Sequence, residues 1–133
     1  MTRFVLVYLA TIIPFLAIDA VWLARVVPGF FQQRIGHLLA QDVNFGAAVG
    51  FYLLYGVGIV YFAVLPGLDA GSWRLALMNG ALFGFFAYAT YDMTNYATLR
   101  GYPFSVVALD VTWGTVLTGV SALIGYLIID RFA

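Results

Sequence analysis

Four apolar runs, at residues 4–27, 45–65, 73–99 and 104–129, occupy most of this 133-residue chain, and each reaches the roughly 20 residues that a helix needs to cross a hydrocarbon core. Backbone polar groups in lipid must be satisfied within the segment, so helices are the expected form. The expectation is an all-α fold: a single integral membrane domain, a four-helix bundle with a short interfacial helix between spans 1 and 2. Only Met1, Thr2 and Arg3 precede the first run, which continues past Asp19 and Trp22 without a small-residue cleavage pattern. A retained anchor is therefore expected rather than a cleaved signal peptide. Pro28-Gly29 is expected to end the first helix and Pro66-Gly67 with Gly71 the second, while Gly101-Tyr102-Pro103 makes the last turn. Pro14 lies inside the first span and should kink it.

The connection 28–43 carries Phe31, Ile35, Leu38 and Leu39 at helical spacing, with Gln33, Arg34, His37 and Gln41 largely on the other side. This amphipathic pattern predicts a helix lying on the membrane surface across the mouth of the bundle, a candidate lid. His37, the lone histidine, is expected to be solvated. A single imidazole assembles neither a zinc nor a bis-imidazole haem site.

Composition narrows the chemistry. The charges are six Arg and six Asp with no Lys or Glu, and there is no Cys. Zero net charge offers nothing to a nucleic acid backbone, so no nucleic-acid partner is expected. Without thiols or a histidine cluster, no metal site and no cofactor is expected. A Schiff base lacks its lysine. The arginines divide evenly between the two faces, with Arg3, Arg74 and Arg131 opposite Arg25, Arg34 and Arg100, so the positive-inside rule gives no orientation.

Against this apolar background stand Asp19, Asp92 and Asp110, each inside a span, where an ionised carboxylate costs several kcal/mol unless paired or wetted. Alternating spans bring the end of the first, the end of the third and the start of the fourth to one membrane face, and a rise of about 1.5 Å per residue puts each acid roughly 9–12 Å inside its helix end. All three fall in one layer. Tyr88, Asp92 and Asn95 form a stripe on the third helix, and Tyr91, Asn95 and Thr98 an overlapping one. Asp19-x-x-Trp22 and Asp110-x-x-Trp113 place an acid beside an indole on the first and fourth helices, and Tyr52 and Tyr55 extend the layer from the second. Arg100 is the expected counter-ion of Asp92 or Asp110, and Tyr91 or Asn95 is expected to hydrogen-bond an acid. Trp22, Trp73, Tyr96 and Tyr102, near span ends, are expected in the interfacial aromatic belt. Gly46-x-x-x-Gly50 and Gly80-x-x-x-Gly84 mark close helix contacts within the bundle or in a homo-oligomer.

The tract Tyr88-Ala-Thr-Tyr-Asp-Met-Thr-Asn-Tyr-Ala-Thr-Leu-Arg100, with Pro103 and Asp110-Val-Thr-Trp-Gly114, resembles the signature of a bacterial family of membrane proteins, domain of unknown function 2177. Asp19-Ala-Val-Trp-Leu23 and Phe51-Tyr52-Leu-Leu-Tyr55-Gly56 are similar to its other shared tracts. The resemblance covers nearly the whole chain and implies a four-span protein of the bacterial inner membrane, without implying a reaction. Met93 stands where the family pattern has Leu, and Arg100 where it often has Lys.

The candidate site is thus Asp19, Tyr52, Tyr55, Tyr88, Tyr91, Asp92, Asn95, Thr98, Arg100, Asp110 and Trp113. Carboxylates and aromatics at the end of an apolar bundle suit a lipid-like or polar-headed apolar small molecule, with membrane lipids as further partners. An accessory role in lipid or cofactor metabolism is the leading expectation. Three alternatives stay open: an enzyme using an Asp pair as general acid and base on a lipid substrate, a proton- or cation-coupled transporter, and a structural subunit paired with another membrane protein.

Overall fold

In the computed structural model, which describes residues 2–40 and 43–132, the chain is helical almost throughout, with no strand among the described residues. Four long helices dominate: α1 (Thr2–Arg25), α2 (Phe45–Ala70), α3 (Trp73–Thr98) and α4 (Phe104–Phe132). Helices α1, α2 and α4 are long and apolar enough to cross a membrane. Helix α3 is as long but less apolar, because Arg74, Asn79, Asp92 and Asn95 interrupt it.

The helix boundaries correct two expectations. Pro28-Gly29 does not end the first helix: α1 stops at Arg25, and both residues lie in the π-helical turn Val27–Phe31 that follows. Proline is tolerated there because the first turn of a helix has no use for its missing N–H. The turn continues through Gln32–Ile35 and Gly36–Leu38. Pro66-Gly67 likewise lies inside α2, after a π-helical turn at Val60–Val64. Proline deprives the carbonyl four residues earlier of its usual donor, and Asn79 of α3 donates its side-chain N–H to that carbonyl, Phe62 O, at 3.1 Å. The break comes at Gly71, the last residue of the expected terminator, whose φ of 63° suits glycine; Ser72 N–H bonds Gly67 O at 2.9 Å and Gly71 N–H bonds Leu68 O at 3.2 Å. Ser72 then caps α3 by accepting from Leu75 N–H at 3.1 Å, so α2 and α3 form a tight hairpin. Pro14 lies within an uninterrupted α1.

Helices α3 and α4 make the most extensive contact, and small residues are the reason. A side chain at Gly80 would run into Ala122 Cβ at 2.7 Å, and one at Gly84 into Thr118 at 2.7 Å and the Gly114 carbonyl. Gly114 in turn receives the Tyr88 ring, which occupies the space of any Cβ there. The Gly80/Gly84 expectation therefore holds, whereas Gly46 and Gly50 touch nothing beyond Asn44. Helix α1 packs on α4, with Thr11 against Gly125. Helix α2 docks on α3 mainly through Val60–Val64 and Leu65–Ala70, while the backbone of Phe45–Ile59 lies farther from α3 and α4 and meets them through side chains, as Tyr55 does at Thr118 and Phe83. Val7, Phe15, Ile59, Val60, Val64 and Leu117 fill the core of the closed part.

This packing predicts an asymmetry between the two glycine pairs. Gly84→Val should lower stability by about 1–3 kcal/mol, the usual cost of overpacking, while Gly50→Val should stay within about 0.5 kcal/mol. Thermal unfolding of the purified variants in detergent measures both.

Candidate functional site

Where α2 stands off, a cleft of about 410 Å³ opens among α1, α2, α3, α4 and the 27–39 connection. Its rim includes the exposed Leu23, Leu39, Phe51 and Tyr91; inside, Tyr52, Tyr55, Tyr88, Trp22 and Trp113 form aromatic walls. Asp19 and Asp110 are its acidic lining residues.

The three carboxyls share one layer. Asp19 is six residues before the end of α1 at Arg25, Asp92 six before the end of α3 at Thr98, and Asp110 six after the start of α4 at Phe104. Six residues correspond to about 9 Å of helix, and side-chain contacts join the layer. Asp19, 4% exposed, accepts from Trp113 Nε1 at 3.1 Å, and the Tyr52 phenol reaches toward the same carboxyl. Asp92 is fully buried and accepts from the Tyr102 hydroxyl at 2.8 Å through Oδ1. Its Oδ2 has no donor among the described residues, and the Asp110 carboxyl lies within hydrogen-bonding reach of Asp92. An ionised carboxylate only accepts, so this contact becomes a hydrogen bond when one partner carries a proton.

Two residues expected in the interfacial belt belong here instead. Trp22 stacks on Trp113 with centroids 4.4 Å apart and planes 6° from parallel, and meets Phe31 edge-on at 5.7 Å. Tyr102 is 6% exposed because the turn at Gly101, with φ of 73°, folds it back under α4 against Phe31, Ile35, Val106 and Val107. It supplies the bond to an acid expected of Tyr91 or Asn95. Neither makes one: Tyr91 lies on the rim, 60% exposed, and Asn95 approaches Tyr102. Tyr102 lies in the turn between helices, where burial and then the Asp92 bond raise its phenol above the ordinary tyrosine value. With the folded value raised, the stability it contributes is complete below the unfolded value of about 10 and is lost as pH climbs through the folded one.

Arg100 and Thr98 fall outside the cleft. Arg100 is exposed and pairs with neither Asp92 nor Asp110; the ion pair found among the described residues is Arg3–Asp69, 3.6 Å apart at the far end. Thr98 is exposed and bonds back to Thr94 O at 2.7 Å. Tyr55 forms the floor, its hydroxyl 2.8 Å from Thr118 Oγ1. Trp73 and Tyr96 are surface residues, and His37 is exposed near the turn at Gly101. Phe31 and Ile35 are buried and, with Leu39, line the cleft; Gln41, assigned to the polar side of the connection, is outside the described residues.

Tyr102→Phe should leave Asp92 without its donor and cost about 1–3 kcal/mol, and Trp113→Phe should cost a similar amount through Asp19. Thr98→Ala and Arg100→Ala should change stability by no more than about 0.5 kcal/mol. Denaturant unfolding in micelles, followed by circular dichroism, separates the two pairs.

Compared with known proteins, residues 4–127 match the family described as "Predicted membrane protein (DUF2177)". No curated protein and no solved structure matches the chain.

Proposed function

The chain belongs to the DUF2177 family of predicted membrane proteins, and from that premise we propose that it binds a lipid-like molecule, apolar with a polar head, in the cleft between α2 and the other helices. In this reading α3 joins the three more apolar helices as a fourth span of a bacterial inner-membrane bundle. Its Tyr88 and Tyr91 line the cleft, while its Gly80 and Gly84 pack against α4. The 27–39 connection lies at the interface as a lid.

The observation that carries the proposal is the cleft itself: apolar and aromatic walls, a rim of exposed apolar residues, and carboxyls confined to one end. Such a volume falls within the range of about 300–1,000 Å³ common for small-molecule pockets. Binding is favoured over transport because the cleft does not continue along the bundle. Beyond Tyr55, the fully buried Phe15, Ile59, Val60 and Leu117 close the interior. The Asp92–Asp110 contact favours a second reading, acid–base chemistry on the bound lipid, since two adjacent carboxyls sharing a proton can both give and accept one. An accessory role in lipid metabolism accommodates either.

A phospholipid with brominated chains, added to the purified chain carrying Trp73→Phe, should quench Trp22 and Trp113 fluorescence saturably. Asp92→Asn should weaken this binding, and Ala48→Phe, which fills the rim, should abolish it. Vesicles containing the protein should show no ion flux. Flux would replace the proposal with transport, and conversion of the added lipid that is lost in Asp92→Asn and Asp110→Asn would replace it with catalysis.

A further inference from the structure

The same cleft carries information about the sign of the charge it accepts, and this inference rests on the ligand-binding reading above. Its lining holds two carboxyls, Asp19 and Asp110, and no arginine or histidine. Asp92, which does not itself line the cleft, neighbours Asp110. The nearest arginines in sequence, Arg25, Arg34 and Arg100, are all exposed, and Arg34 is engaged with the Phe30 ring at 3.7 Å and the Phe30 carbonyl at 3.4 Å. The titratable carboxyl side chains at this end of the cleft are thus acidic groups with no described basic side chain among the lining residues.

The aromatic residues sharpen the assignment. Trp22 and Trp113 stack face to face beside Asp19, while Tyr52 and Tyr88 line the same end, and ring faces attract cations through their negative quadrupole. The described residues contain no cluster of three or more His, Cys, Asp or Glu side chains placed to hold a metal ion. Walls of indole and phenol suit a weakly hydrated organic cation better than a hydrated metal ion. An anionic headgroup would meet acidic side chains and no basic one among the lining residues.

We infer that the ligand of this cleft carries a cationic nitrogen head, an amine or quaternary ammonium, held between Asp19, Asp110 and the Trp22–Trp113 pair, with its apolar tail running out past Phe51 and Leu39. The carboxylates supply the charge and the rings the fit. The groups facing the head are Asp19 of α1, Tyr52 of α2, Tyr88 of α3, and Asp110 and Trp113 of α4, with Asp92 of α3 neighbouring Asp110.

The test uses single-chain amphiphiles with one brominated tail and three kinds of head: trimethylammonium, uncharged hydroxyl and sulfate. Each is titrated into the purified chain carrying Trp73→Phe in non-ionic detergent, with Trp fluorescence as the readout. The ammonium compound should bind about tenfold or more tighter than the hydroxyl compound, and the sulfate weakest, as expected for a desolvated cation on ring faces beside carboxylates. In Asp19→Asn and Asp110→Asn the preference should flatten while quenching by the tail persists. Equal binding of all three, or tighter binding of the sulfate, overturns the cationic assignment and leaves the lipid cleft standing. Failure of every head to quench overturns the lipid cleft itself. The ranking on the chain with its acids intact decides the question even where an Asn variant does not fold.

Discussion

A carboxyl group taken out of water must be given donors or a cation, and the polar end of this molecule is organised around that requirement. Asp92 is buried between α3 and α4 and takes its donor from Tyr102 in the turn that joins them; Asp19 of α1 takes its donor from Trp113 of α4. Asp92 and Asp110 face one another across the α3–α4 contact. These contacts tie α1, α3, α4 and the last turn together at one level. They bind the helices through directed contacts to carboxyl groups where the rest of the bundle relies mainly on close packing, and Asp19 and Asp110 line the cleft.

The opposite end is built differently, and the contrast explains why a cleft exists at all. Small residues on α3 and α4 allow the backbones to approach closely, and the glycine-ended hairpin after Ala70 clamps α2 against α3. Asn79 adds a bond to the carbonyl that Pro66 leaves free. Helix α2 is thereby held firmly by its second half. Its first half carries large exposed side chains such as Phe45, Phe51 and Leu54 and finds few partners on α3 or α4, so it diverges. In a membrane those side chains lose nothing by facing acyl chains, because lipid is as apolar as a protein core. A cleft between helices can then persist without exposing apolar walls to water.

Some of the candidate site was legible because its cause is local. The rise of an α-helix and the alternation of direction are enough to put Asp19, Asp92 and Asp110 at one depth, six residues from their helix ends. The assignments of Trp22, Tyr102 and Arg100 went the other way for a common reason. A residue near the end of a span has the same sequence surroundings whether it points to the interface or to the interior. Rotation of the helix decides for Trp22, and the positive φ of Gly101 decides for Tyr102. Arg100 stands close to the acids along the chain but follows the end of α3, exposed and paired with neither carboxyl. Proline misled at 28 and 66 because it stops a helix only when it falls beyond the first turn and the orphaned carbonyl has no other donor.

The amino-acid sequence by itself determined the helical class, the apolar runs, the chemical inventory of the polar layer and its depth, since each follows from composition and from the fixed geometry of a helix. Only the tertiary structure decided which donor meets which carboxyl, that Trp22 and Trp113 stack, and that the first half of α2 leaves a cleft open beside them. Those outcomes depend on how each helix is rotated and tilted against its neighbours. Rotation and tilt are set by contacts between residues as far apart as 19 and 113, which local periodicity does not encode.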